Sequence, residues 1–391
     1  MPARRRTGLW VSAVLGIAVV AGVTAFVVNV KGRFTAIAVA AVDESTPLAD
    51  LSRAVRGGDS KALALMFQRT ALKEGERPQA VDAAEAAEWV DAFSALRSSF
   101  LQFNSYGRSS AMIVVGRVLQ RLAVEPAPAN WVEAMRPASD VVAAGLNDGH
   151  LDVRVTALTE VSRLWRWSPG RTMLKAEEDL LGDWKQTFHT PVLRRLGDAE
   201  PKARAAAVAC LGELPIDSAA APALAYLDDP KSPEVRQQVL VSFARRPSLL
   251  TEDAILKHMF DREASIPEAA EIVLQTRGLT REQISLGSMI FHPKAEIRAS
   301  VIPLLKNRTD VDPAVWLLQL THDTDEAVRL GAVDALAARL SPEVGARLAE
   351  MAAKDRSPAV RQAAGRILPE IAKTAALPPL PGSPSLYPRA N

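Results

Sequence analysis

Apolar residues recur at helical spacing along the second half of the chain. The clearest stripe follows an i, i+3, i+4, i+7, i+8, i+11 series, which places one apolar face on an amphipathic helix. The residues of this stripe are Val360, Ala363, Ala364, Ile367, Leu368 and Ile371. The pattern predicts helices, and a composition of 48% hydrophobic but only 5% aromatic residues favours helices over strands as well.

A short polar pattern precedes these helices at a nearly fixed interval. Ser357 and Pro358 are suited to the cap and first position of a helix, and the arginine follows about one turn later. The arginines from residue 204 onward are 32, 62, 31 and 32 residues apart, and the first interval is 50. Such a period predicts a solenoid of helical hairpins that bury their stripes by stacking. The repeat arginines are Arg154, Arg204, Arg236, Arg298, Arg329 and Arg361, and aspartates stand six residues before four of them, at Asp148, Asp198, Asp323 and Asp355.

Two positions depart from this pattern. Ala270 stands where one unit should carry its arginine, and His292 replaces the aspartate before Arg298. Each arginine helix is followed by a second predicted helix in the later units. These second helices are expected at Thr251–Phe260, Arg281–Ile290, Pro313–Leu320 and Pro342–Ala353.

The D-x-x-x-x-V-R core, which runs from Asp355 to Arg361, resembles that of HEAT repeats. The likeness is to the short bacterial HEAT-like variety of about thirty residues that also occurs in phycobilin lyases. It covers residues 148–372 well and 48–147 poorly. The resemblance implies that the recurring Asp and Arg form a ladder between adjacent hairpins, interrupted at Ala270. The resemblance implies a fold but gives almost no information about function.

The N-terminal region predicts a membrane helix. Thr7 to Val30 is a run of 24 residues without a charge. As a helix, residues 8–30 would span roughly 35 Å, enough to cross a hydrocarbon core of about 30 Å. A cleaved signal peptide is the alternative, with A-x-A sites near Val39, but the apolar run exceeds the usual length and Lys31 to Arg33 separates it from those sites.

Basic residues favour a cytoplasmic N-terminus by one charge, and hence an exported repeat domain at a bacterial cytoplasmic membrane. Small-residue pairs at Ser12/Gly16 and Ala18/Gly22 have the spacing that brings helices together in lipid, so a weak homodimer through this helix is a further hypothesis. The predicted organisation is a basic tail at 1–7, a transmembrane helix at 8–30, a linker at 31–47, a divergent helical region at 48–147, a HEAT-like array at 148–374 and a Pro-rich disordered tail at 375–391.

Charge and cysteine content narrow the functional classes. The formal charge is +2, but five basic residues flank the N-terminal apolar run, so the remainder carries about −3. This balance gives no reason to expect nucleic acid. Cys210 is the single cysteine, which excludes an internal disulfide, and we expect it to be buried in a repeat helix.

Two stretches are candidates for chemistry or contact. The run from His322 to Asp325 has ligand-type residues, but the repeat register accounts for Asp323 as a ladder residue and Asp325 as a helix cap. The 50-residue interval contains a segment that mixes aromatic and basic residues, which suits an interface but equally suits tryptophans packed beneath an insertion. The predicted partner-binding residues are Trp165, Arg166, Trp167 and Arg171.

The sequence contains no Gly-rich phosphate loop, HExxH, GxSxG or CxxC motif, so no catalytic residue, cofactor or metal ligand is predicted. The leading hypothesis is therefore a membrane-anchored all-α scaffold that binds a protein partner through its solenoid surface. The alternative is a HEAT-like lyase or another enzyme that acts on a small-molecule or pigment-protein substrate.

Overall fold

The computed structural model describes residues 45–374 except 73–75, 125–127, 129, 167–172, 174, 306–307, 309–310 and 340. Over these residues the chain is helical and contains no strand, which confirms the predicted all-α class. The chain divides into two compact units, Met1–Pro215 and Ile216–Asn391. This boundary falls inside the predicted repeat array at 148–374.

The predicted membrane helix precedes the described part of the chain. Among the described residues, no helix is both long and apolar enough to cross a membrane. The predicted span at 8–30, the tails at 1–7 and 375–391, and the linker up to residue 44 lie outside the described residues. The anchor therefore stays a prediction from the sequence.

Helices of the first unit alternate between two layers. They are α1 (Leu48–Arg56), α2 (Ser60–Arg69), α3 (Ala83–Ser99), α4 (Ser105–Leu122), α5 (Trp131–Leu146), α6 (Leu151–Arg166), α7 (Lys175–Gln186), α8 (His189–Arg195) and α9 (Pro201–Gly212). One layer contains α1, α3 and α5, and the other contains α2, α4, α6 and α9. Since α1 to α5 each pack on the helix two places further along the chain, and α6 packs on α9, this unit is a stack of helical hairpins.

The layers of the first unit enclose an apolar core. Phe93, Phe100 and Trp131 are among its largest fully buried side chains. Cys210 is also fully buried, as predicted, and burial raises the pKa of its thiol. Burying these apolar side chains supplies the main favourable free energy that holds the layers together.

The second unit has the same hairpin arrangement. Its helices are α10 (Asp217–Ala220), α11 (Pro233–Ser242), α12 (Glu252–Lys257), α13 (Ser265–Thr276), α14 (Arg281–Ile290), α15 (Ala295–Leu305), α16 (Pro313–Leu320), α17 (Glu326–Leu336), α18 (Pro342–Lys354) and α19 (Pro358–Thr374), with 3₁₀ turns at Ala221–Asp228 and His258–Phe260. The first helices pack α11 on α13, α15 on α17 and α17 on α19. The second helices pack α12 on α14 and α16 on α18.

Three of the four predicted second helices are found within one residue of their expected bounds, as α14, α16 and α18. The fourth, expected at Thr251–Phe260, is an α-helix to Lys257 that tightens into the 3₁₀ turn. Thr251 caps this helix by accepting a hydrogen bond from the Ala254 amide. Such capping explains why polar residues before an apolar run located the helix starts correctly.

Each repeat aspartate holds two structural elements at once. Asp355 Oδ1 accepts a hydrogen bond from the Ser357 amide at 2.8 Å, which fixes its own loop. Both of its oxygens also accept from Arg329 of the preceding hairpin, at 3.0 Å from Nε and 3.0 Å from Nη2. Burial alone would raise the pKa of Asp355, but these hydrogen bonds outweigh it and hold the pKa below its usual value. The carboxylate therefore stays ionised.

The same two-pronged bond recurs along the chain. Each arginine also donates from Nη1 to the carbonyl that begins its own loop, as Arg329 does to Asp323 at 3.0 Å. Arg204 and Arg361 make this loop bond too, to Asp198 and Asp355. The arginine–aspartate forks are Arg154 with Asp198 (2.8 and 2.9 Å), Arg236 with Asp261 (2.9 and 2.8 Å), and Arg298 with Asp323 (2.6 and 2.7 Å).

Two further ladder residues were not assigned from the sequence. Arg108 donates from Nη2 to Asp148 Oδ1 at 3.0 Å, so the ladder begins within the region predicted to be divergent. Asp261 accepts from Arg236, although no repeat arginine follows it six residues later. The signal for Arg108 was its position 46 residues before Arg154, whereas Asp261 had none because its own unit carries Ala270 instead of arginine.

One arginine–aspartate pair of the ladder is missing, because both of its residues are replaced. Ala270 on α13 replaces the arginine donor, and His292 before α15 replaces the aspartate acceptor. His292 keeps the other task of the aspartate, because its Nδ1 accepts the Lys294 amide at 3.0 Å. The ring of Phe260 meets His292 edge-on, with 4.8 Å between centroids. Here α13 and α15 do not pack closely, in contrast to the neighbouring first helices.

We expect Arg329→Ala to lower the free energy of unfolding by roughly 1–3 kcal/mol, since it leaves the largely buried Asp355 without its charged donor. Chemical denaturation of the full chain measures this change. Arg262→Ala is the matched control, because Arg262 is exposed and should change stability by less than about 0.5 kcal/mol. Equal effects of the two substitutions would mean that the arginine–aspartate pairs of the ladder are solvated and contribute little to stability.

Candidate functional site

Trp165 of the predicted contact segment is a packing residue. Only 5% of it is exposed, and its Nε1 donates to the Lys185 carbonyl at 2.9 Å. Its ring is therefore not available to a partner, contrary to the role expected from the sequence. Trp is buried on average despite its enrichment in interfaces, so Trp165 fits the packing alternative that the sequence also offered. Trp167 and Arg171 lie outside the described residues.

Arg166 is the described member of this segment that faces solvent. Its side chain is 58% exposed, and Nη1 lies 3.6 Å from Glu213 Oε1. An exposed pair at this distance contributes little to stability. Arg166 is therefore accessible to a partner, and its partner-binding role stays a prediction.

Two extra helices fill much of the 50-residue interval. They are α7 and α8, and both pack on α5 of the first unit. Trp184 and Phe188 meet edge-on with 5.8 Å between their ring centroids, and both are buried. The departure from the repeat period is therefore an inserted, packed pair of helices next to the segment that carries Arg166.

The run from His322 to Asp325 has the structural roles that the repeat register indicates. Asp323 accepts from Arg298, and Asp325 caps α17 by accepting from the Ala327 amide at 2.9 Å. Partial burial of the His322 ring lowers its pKa, and the positive charge of the nearby Arg347 lowers it further. Within the described residues, no group of three His, Cys, Asp or Glu side chains could hold a metal ion.

Two grooves of the second unit meet at the loop from Thr321 to Thr324. One has a volume of about 410 Å³ and lies towards Asp355, and the other, of about 500 Å³, lies towards His292. Both include His322, Asp323 and Thr324, so they form one continuous surface, which we call the loop-322 groove. Its walls are ladder loops and the ends of second helices. The ladder therefore fixes the shape of this surface.

A third groove of about 460 Å³ lies beside the loops at Asp229 and Asp261. Its wall includes four carboxylates and three cationic side chains. The carboxylates are Asp228, Asp229, Asp261 and Glu263, and the cations are Lys231, Arg236 and Arg262. This groove resembles the loop-322 groove in position and size but differs from it in charge.

Glu160 is a carboxyl group buried between α4 and α6. Only 1% of it is exposed; Oε1 accepts from Arg163 at 2.6 Å, and Oε2 has no hydrogen-bond partner among the described residues. Burial raises the pKa of Glu160, and the nearby Arg163 and Arg117 only partly oppose this. Perturbed carboxyl groups occur in active sites, but none of the three grooves includes Glu160.

Gly116 makes room for this carboxyl group. A Cβ atom at Gly116 would lie 1.9 Å from Glu160 Oε2, which is far inside contact distance. The sequence showed Gly116 within an otherwise regular helix but not the reason for it. The absent side chain lets α4 approach α6 over the buried acid.

Gly116→Ala should therefore destabilise the full chain by roughly 1–3 kcal/mol, the usual cost of overpacking. Gly182→Ala is the control, because a Cβ at that helical position meets no atom within 4 Å. Thermal melting measures both. Adding Glu160→Ala should recover part of the loss caused by Gly116→Ala, whereas additive losses would contradict a direct clash.

Comparisons with known proteins agree with the repeat assignment. Residues 286–381 match the family described as HEAT repeats. No curated protein matches the sequence. Among solved structures, the chain is similar to an engineered protein at 14% identity and a TM-score of 0.37, covering 86% of this chain and 90% of that one.

Two other solved structures are similar at the same low level. One shows tubulin recruitment and assembly by microtubule polymerases with TOG domain arrays (13% identity, TM-score 0.34, 81% of this chain and 75% of that one). The other is importin beta (13% identity, TM-score 0.31, 84% of this chain and 49% of that one). These values are too low to carry an argument. The repeat assignment rests on the family match over residues 286–381, and the arginine–aspartate forks and stacked hairpins continue the same pattern outside that match.

Proposed function

We propose that this protein is a membrane-anchored scaffold that binds a protein partner through the surface of its HEAT repeats. The observation that carries the proposal is the way in which the forks fix successive loops. Asp323 and Asp355 each hold their own loop and the preceding hairpin, so the exposed side chains between them occupy set positions. A preorganised surface loses little conformational entropy on binding, which favours recognition.

The groups that line the loop-322 groove favour binding over a reaction. Its three carboxylates, Asp323, Asp355 and Glu350, are each hydrogen-bonded to an arginine. A carboxylate held in this way is stabilised as the anion, whereas a general acid or base must exchange a proton near neutral pH. These groups therefore serve to position loops and balance charge.

The anchor is the membrane part of the proposal. It is supported by the uncharged run from Thr7 to Val30 and by the basic residues on both sides. The excess of one basic charge before the run favours export of the repeats at a bacterial cytoplasmic membrane. A tether would concentrate the scaffold near membrane partners and so raise the effective concentration for binding.

The full chain should stay in the membrane fraction after washing with alkaline carbonate, and deletion of residues 1–33 should release it. Immunoblots of the washed pellet and supernatant measure this distribution. A mature N-terminus near Val39 or Ala41, found by sequencing, would instead establish a cleaved signal peptide.

The partner contact is expected next to the inserted helices, at Arg166, Trp167 and Arg171. The full chain, purified from membranes in mild detergent, should retain a protein partner that mass spectrometry identifies. Replacing Arg166 and Arg171 with Glu should abolish retention at an unchanged melting temperature, because Arg166 is exposed. The control replaces the exposed Lys61 and Arg97 with Glu and should retain the partner.

Two results would count against this proposal. Equal retention by both charge-reversed variants would remove the contact from this segment. Recovery of a bound pigment or nucleotide in place of a protein would favour the enzyme alternative.

A further inference from the structure

The loop-322 groove is strongly cationic within a body that is nearly neutral. Three carboxylates line it, against six cationic side chains and two histidines, His292 and His322. The carboxylates are Asp323, Glu350 and Asp355, and the cations are Lys257, Arg298, Arg329, Arg347, Lys354 and Arg356. The third groove has the opposite balance, so the positive charge is a local property of this surface.

Each carboxylate of the groove is paired with an arginine, whereas several of its cationic side chains form no ion pair within the described residues. Arg298 and Arg329 bind Asp323 and Asp355 with both prongs, and Arg347 donates to Glu350 at 2.6 Å. Lys257 and Lys354 are exposed and make no ion pair within the described residues. The groove therefore offers unused donors and few unused acceptors.

His292, which replaces a ladder aspartate, adds one more hydrogen-bond donor to the groove. Because His292 Nδ1 accepts the Lys294 amide, the proton of the neutral ring is on Nε2. An aspartate at this position would present only acceptor oxygens. Histidine in place of aspartate therefore removes a carboxylate from this part of the groove and adds a hydrogen-bond donor.

The chemistry of the free donors favours carboxylates over nucleic acid. The ladder holds the guanidiniums of Arg298 and Arg329, and Arg347 is paired with Glu350. The donors that remain are lysine ammoniums, imidazoles and the exposed Arg356, which also donates to the Thr324 carbonyl. Binding of single-stranded nucleic acid also relies on exposed aromatic rings for stacking, whereas Phe291 in this groove is half-buried.

We propose that the loop-322 groove binds an acidic segment of the partner protein, with Lys257 and Lys354 as the principal contacts and His292 between the repeats as a further donor. This inference rests on the proposed scaffold function and names the chemical class of its partner. Glu and Asp side chains on an extended segment would meet donors that line the two connected parts of the groove.

The test is fluorescence anisotropy of a labelled decaglutamate peptide with the full chain in detergent micelles. The wild-type chain should bind, and added salt should weaken binding because the contacts are exposed charges. The variant with Lys257→Glu and Lys354→Glu should bind at least about tenfold more weakly. The matched control carries Lys231→Glu and Arg262→Glu in the third groove and should bind like the wild type.

Unchanged melting temperatures should accompany these substitutions, since all four side chains are exposed. No binding by the wild type, or an equal loss in both variants, would overturn the inference. Tighter binding of a ten-residue oligothymidine than of decaglutamate would also overturn it and indicate a nucleic-acid surface.

Retention of the natural partner distinguishes failure of the groove assignment from failure of the scaffold function. If the chain with Lys257→Glu and Lys354→Glu retains the partner as well as the wild type does, the groove assignment is wrong while the scaffold function stands. If decaglutamate binds in the groove but the wild-type chain retains no protein, the scaffold function fails and the groove remains an acidic-peptide site.

Discussion

The bidentate hydrogen bond between an arginine of one hairpin and an aspartate of the next is the interaction on which the repeats depend. The apolar stripes bring helices together, but burial is non-directional and does not set the position of the loops. The fork does, because its aspartate also holds the turn of its own loop, as Asp355 does for Ser357. A charged pair this well buried is stable only when its remaining hydrogen bonds are also made, and Arg329 makes them to the carbonyls of Asp323 and Thr324.

The break at Ala270 and His292 shows how a repeat can change without unfolding. Loss of the arginine alone would leave a buried carboxylate unpaired, and loss of the aspartate alone would leave a buried guanidinium unpaired. Either costs more than loss of both. Histidine keeps the turn through Nδ1, so the loop before α15 survives while the link to α13 does not. The altered step forms part of the wall of the loop-322 groove, and this connects a local exception in the repeat to the surface proposed to bind a partner.

Charge is distributed in the same local manner. The chain outside its N-terminal basic clusters is close to neutral, so long-range attraction of anions is weak. The loop-322 groove is nevertheless cationic, because its carboxylates are paired with arginines while Lys257 and Lys354 form no ion pair among the described residues. The proposed membrane tether would remove the need for long-range steering towards a neighbour in the same membrane, and a local patch gives selectivity without general affinity for polyanions.

The helical class, the repeat period, most helix starts and most ladder residues can be predicted from the amino-acid pattern alone. Each of these follows from near neighbours in the chain: apolar spacing, capping residues and the recurring Asp and Arg. Helix packing sets which side chains face solvent and which loops meet. It buried Trp165 against the Lys185 carbonyl, paired Arg236 with Asp261, and placed Gly116 over Glu160. These outcomes join residues 20 to 44 positions apart in the chain, and a local pattern does not specify which distant partner the packing brings close.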